Sequence, residues 1–151
     1  MKKFDMSQLI NQGTTLEKIV ECNLYTKGFG LVLSREDAKV LMMDRTNSLR
    51  QQGRIEFGEG ILPKLIFTFC DSGYIYQDNY VEVIGRLQDI FYLYKNEALD
   101  EWTDDELLEV MKKQFEEEAR GDLDFLEDTC LEAYARKMRE LVEIPLEEKE
   151  I

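Results

Sequence analysis

DNYVEVIGRLQDIFYLYKNE, residues Asp78–Glu97, decides the fold, because Tyr80, Ile84, Leu87, Phe91 and Tyr94 recur at spacings of 4, 3, 4 and 3. That is the period of one helical face. Val83 and Ile90 widen the stripe beyond that of a surface helix, so it predicts a central helix that others cover.

Downstream, Thr103 followed three residues later by Glu106 is a capping box. The hydroxyl accepts the amide of the third helical residue, and that residue's carboxylate returns the bond. Leu107, Met111 and Phe115 carry the next apolar face as far as Gly121. Thr129 with Glu132 predicts another box, opening a helix of Ala133, Tyr134, Met138, Leu141 and Val142 that stops before Pro145. Residues 146–151 lack an apolar face and are expected to form a frayed acidic tail.

Upstream, Ile61–Cys70 is apolar on nearly all sides and predicts a short buried helix, with Pro63 tolerated in its first turn and Gly73 as its stop. Arg54–Gly60 (RIEFGEG) has no helical period and reads as a structured loop. Ser34 with Asp37 is an acidic capping box that starts a helix through Ala38, Leu41, Met42 and Leu49 to Gly53. A first helical region, Met6 to Thr26, places Leu16, Ile19, Val20 and Asn23 on one face and meets Gly28. The stretch Phe29–Leu33 is the β candidate. Together these segments predict an all-α fold, a compact single-domain bundle of about six helices over residues 1–145 with a Gly-rich loop near 53–60. The 151 residues suit one such core.

Charge is distributed unevenly. Residues 1–96 hold 12 acids and 12 bases, whereas Glu97–Asp128 holds 14 acids against Lys112, Lys113 and Arg120, within a net charge of −13. Helix grammar accounts for part of this run: Asp104, Asp105 and Glu106 fall in a first turn, where the dipole favours anions. Glu109 with Lys113, and Lys112 with Glu116, stand at i,i+4. The surplus, at Glu116–Glu118 and among Glu97–Glu101, asks for a partner.

The chain contains no histidine, which excludes Ser/His/Asp and Cys/His nucleophile sites, HExxH zinc sites and the ExxH halves of di-iron bundles. No phosphate loop or GxGxxG is present, and the dispersed basic residues argue against direct nucleic-acid binding. Cys22, Cys70 and Cys130 are odd in number and far apart, as expected of reduced, buried thiols. No signal peptide and no apolar run long enough for a membrane span are read, so a cytoplasmic protein is expected.

Two groups of residues invite a chemical reading. Glu97 with Asp100 and Glu101 with Asp104 have the i,i+3 spacing that sets two carboxylates on one face, suited to Mg²⁺. In this they resemble the paired acidic motifs of all-α nucleotide pyrophosphohydrolases of the MazG type, and a magnesium-dependent hydrolase is what that likeness implies. The other group is Arg54 and Glu56 in the glycine loop with Tyr74 and Tyr76 beyond it. Glycines admit close backbone approach and tyrosines offer amphipathic contact area, so these four are candidate binding residues.

GRIEFGEGILPKLIFTFCDSGYI (Gly53–Ile75), QDNY (Gln77–Tyr80), DIFYLYKNE (Asp89–Glu97) and DDEL (Asp104–Leu107) resemble a family of small acidic bacterial proteins classed as a domain of unknown function. The resemblance implies a single domain and supplies no catalytic residue. The leading expectation is a non-catalytic protein that works through protein contacts with an acidic face, without a cofactor; the hydrolase is the alternative. Homodimerisation through Ile61–Cys70 stays open.

Overall fold

The computed structural model describes residues 15–99 and 101–150, with residues 142–150 described by their backbone alone. The predicted helical start at Met6 lies outside the described residues. Among those described there are six helices and no strand, so the all-α expectation holds. They are α1 (15–21), α2 (Arg35–Gln52), α3 (Leu62–Phe69), α4 (Tyr80–Glu97), α5 (Asp104–Lys113) and α6 (Leu131–Glu150). The chain divides into two compact units, Met1–Asp89 and Ile90–Ile151. The dividing point falls inside α4.

In the first unit, α2 starts as its sequence dictates. Ser34 is extended, its hydroxyl accepts the Asp37 amide, and the Asp37 carboxylate accepts the Ser34 amide at 3.2 Å. Gly53 closes the helix at φ +63, where a side chain would be strained. The amide of Arg54 then reaches back to the Leu49 carbonyl at 2.9 Å, the wrap that satisfies a helix C-terminus. In α3, Pro63 sits in the first turn, where no helical carbonyl awaits its missing N–H. Leu62, Leu65, Ile66 and Phe69 of α3 are buried, as are Tyr80, Ile84 and Leu87 of α4. Each such side chain contributes about 1.5–3 kcal/mol.

Of the β candidate Phe29–Leu33, Phe29 ends a 3-10 turn, Gly30 is left-handed, and residues 31–33 pair with no strand. Side-chain amides take the place of a neighbouring strand. Asn23 donates to the Leu33 carbonyl and accepts the Leu33 amide, both at 2.8 Å. Gln77 does the same for Val32, at 2.9 and 2.8 Å, and the buried Thr26 hydroxyl donates to the Leu31 carbonyl at 2.8 Å. Leu31 and Leu33 are buried and Val32 is exposed; buried backbone groups need partners, and the two amides supply two bonds each.

In the second unit, the Thr103–Glu106 box forms as predicted, with Thr103 Oγ accepting the Glu106 amide at 3.1 Å. Leu107, Met111 and Phe115 are fully buried. Beyond Lys113 the helix widens into a π turn, Gln114–Glu118, and the chain reverses through Arg120 and Gly121, both at positive φ.

The next helical path opens earlier than its sequence predicts. Asp122 is the cap, its carboxylate accepting the Phe125 amide at 3.1 Å. A turn at Leu123–Phe125 and a π turn at Leu126–Cys130 then lead directly into α6. Thr129 thus lies within a continuous helical path and not at its start, because Asp122 already meets the free amides of the first turn. At the far end α6 runs on to Glu150, through Pro145, which the sequence places as a stop.

Candidate functional site

The glycine loop is fastened from beneath. Arg45 Nε of α2 donates to Glu56 Oε1 at 2.7 Å, with both side chains only 12 % exposed. Gly60, at φ +58, closes over this pair: a Cβ there would sit 2.1 Å from Glu56 Oε1 and 2.8 Å from Arg45 Nη2. Glu59 meets Lys18 at 3.3 Å. With its base held, the loop turns Ile55 and Phe57 outward, 82 % and 87 % exposed.

Arg54 lines a shallow depression of about 330 Å³ with Arg45, Arg50, Ile55 and Glu56. Tyr74 and Tyr76 do not line it; they belong to a separate turn. There Ser72 Oγ accepts the Tyr74 amide at 3.1 Å, and the Asn79 side chain accepts the Tyr76 amide at 2.9 Å while donating to the Tyr74 carbonyl. Both tyrosines are exposed. Of the four sequence candidates, Arg54 and Glu56 come together and the tyrosines form their own patch.

A carboxyl pair that sequence reasoning passed over lies between α2 and the first half of α4. Asp89 is hydrogen-bonded to Asp44 and to Ser48, and is pushed up to about 6 by partial burial, then by the charge of Asp44; Ser48 and Arg86 oppose the rise. Gln88, fully buried, donates from Nε2 to Asp44 Oδ2 at 3.0 Å and to the Leu41 carbonyl at 3.3 Å. Its own Oε1 is buried without a partner. The sequence held one signal: Leu41, Asp44 and Ser48 share a helical face, so Asp44 is a charge set in an apolar stripe.

In the second unit, Glu97, Ala98, Leu99, Glu101, Trp102, Met138 and Leu141 line a pocket of about 310 Å³. Leu99 is left-handed at φ +55 and 66 % exposed, a conformation costing a non-glycine residue about 1–2 kcal/mol. Trp102 stands edge-on to Tyr134 with ring centroids 6.5 Å apart, and Tyr134 packs against Tyr94 at 5.1 Å. The Tyr94 hydroxyl hydrogen-bonds the Gln114 side chain at the π turn. Across the two π turns, the Cys130 thiol lies 3.8 Å from Glu118 Oε2, and is pushed up to about 11 by burial and then by that carboxylate.

The three described members of the predicted metal-ligand set divide between two places. Glu97 and Glu101 face the pocket, Asp104 is paired with Lys95 at 2.9 Å, and Asp100 lies outside the described residues. Among the described residues, no three His, Cys, Asp or Glu side chains are grouped as metal ligands would be, and no helix is long and apolar enough to cross a membrane.

The model of a family of unknown function (DUF6323) matches residues 18–143. No curated protein and no solved structure matches the chain.

Proposed function

The chain belongs to DUF6323, a family of unknown function, and from that premise we propose a non-catalytic protein that acts through protein contacts. It presents the acidic face of its second unit to a basic partner. The observation that carries this reading is the exposure of Glu101, Asp105, Glu109, Glu117, Glu118 and Asp128 within a segment of 14 acids and three bases. Asp104, Glu106 and Asp122 have structural work, in an ion pair and two helix caps. Caps therefore account for only part of the charge. A single-sign surface steers encounter with an oppositely charged partner and does so more strongly at low salt. The outward Ile55 and Phe57 of the anchored loop add an apolar contact of the kind that fills a partner's pocket.

The test is a pull-down with the immobilised protein. At low ionic strength it is expected to retain a basic protein that raised salt releases and that the Glu109→Gln, Glu117→Gln, Asp128→Asn triple variant fails to hold. Equal retention by the variant, or retention of nothing, sinks the acidic-face reading. Turnover of nucleoside triphosphates with Mg²⁺ would overturn the non-catalytic one.

A further inference from the structure

We infer that the pocket beside Trp102 is a socket for one arginine or lysine side chain of a basic partner segment. This rests on the acidic-face reading and gives it a point of contact. Leu99, Trp102, Met138 and Leu141 bring apolar surface to its lining, and Glu97 and Glu101 bring two acidic residues. An aliphatic stem ending in a cation is the ligand that such a lining satisfies. The stem packs on Met138 and the leucines, the charge meets the carboxylates, and the indole adds attraction for a cation over its face.

At about 310 Å³ the pocket lies at the small end of the roughly 300–1,000 Å³ range of ligand sites. A side chain fits that space better than a bulky cofactor. The socket is built on fixed parts. Trp102 is backed by Tyr134, which is itself packed on Tyr94. The Thr103 box and the Lys95–Asp104 pair fix the chain immediately after the indole. Lys95 is paired with Asp104, and the acidic residues in the pocket lining are Glu97 and Glu101. The surrounding segment, with its 14 acids, selects for a basic partner and against an acidic one.

The only tryptophan in the chain lies in this pocket, so indole fluorescence reports on it directly. The probes are acetyl-Gly-Arg-Gly-amide and its citrulline counterpart, which keeps the shape and removes the charge. The arginine peptide is expected to give a saturable fluorescence change that citrulline does not. Glu97→Gln and Glu101→Gln are each expected to weaken it about tenfold, as loss of one charge-assisted bond would. Unchanged far-UV circular dichroism would confirm that each variant folds.

Equal responses to both peptides, no saturable change, or indifference to both substitutions overturns the socket. The same variants in the pull-down separate the two ideas. If the partner is retained at full strength by Glu97→Gln/Glu101→Gln but lost in the Glu109/Glu117/Asp128 variant, the socket fails and the acidic face stands. If neither the peptide nor a basic protein binds the wild-type chain, both fail.

Discussion

Asp89 lies against a second carboxylate, Asp44, and its folded-state pKa is raised to about 6 from an ordinary value of 3.8. A raised carboxyl contributes stability that is complete below the unfolded value and is lost as pH rises through the folded one. The window is therefore about pH 4 to 6. Within it Asp89 gives up its proton in the folded state; above it the Asp89 carboxylate is charged beside Asp44. Asp89→Asn keeps a donor toward Asp44 and removes the titration. Thermal unfolding followed from pH 4 to 8 should show the wild type losing stability across that window, with the variant flatter and more stable at pH 7. A wild-type curve without that loss would refute the assignment.

Leu99 offers a second test at this scale. Its left-handed backbone suits glycine, and its side chain is mostly exposed. Leu99→Gly should therefore gain up to about 1 kcal/mol in denaturant unfolding. In the peptide titration the same change, by removing part of the pocket wall, should weaken binding.

At the scale of elements, the parts legible in sequence are those whose causes are local. The boxes at Ser34 and Thr103 each join residues only three apart, and both form. The α4 stripe needed only its own spacing. What escaped notice depends on residues distant in the chain. Asn23 grips Leu33 ten residues away, Gln77 grips Val32 forty-five away, and no periodicity announces such bonds. The Phe29–Leu33 stretch invited a β reading; the partners of its backbone at residues 31–33 are a side-chain hydroxyl and two side-chain amides instead.

These two grips should differ in worth. The Asn23 bonds are part-buried and those of Gln77 exposed. Asn23→Ala should cost about 1–3 kcal/mol, because buried backbone groups lose their partners, and Gln77→Ala less than about 1 kcal/mol, since water replaces the amide. Chemical denaturation of both variants measures the contrast. The Thr129 box failed for a reason of the same kind. Asp122 is as good a cap, and the π turns that make the helical path continuous have no sequence signature.

For the whole molecule, the separation of charge was the most legible property, because it needs only counting: a neutral run to residue 96, then a surplus of acid. Sequence could not say which carboxylates would converge. Glu97 and Glu101 reach one pocket while Asp104 turns to Lys95, a sorting made by the bend after α4 and by where α6 lies. The sequence groups Arg54 with Tyr74 and Tyr76, which the fold keeps in separate turns. Asp44 and Asp89 met because two helices pack, and only the misplaced charge in an apolar stripe hinted at it.

The three thiols, all buried and unlinked, carry a consequence for kinetics. Cys22 and Cys70 belong to the first unit and Cys130 to the second. Burial raises the thiol pKa of both Cys22 and Cys130 to about 11, so little thiolate exists near neutral pH and access must precede reaction. An alkylating reagent therefore acts as a stopwatch with a hand in each half of the chain. Peptide mass mapping of the modified cysteines over time should show slow labelling under native conditions and fast labelling in denaturant. Modification of Cys130 on a schedule different from that of Cys22 and Cys70 would mean that the two halves open independently, and a single shared rate would mean that they open as one.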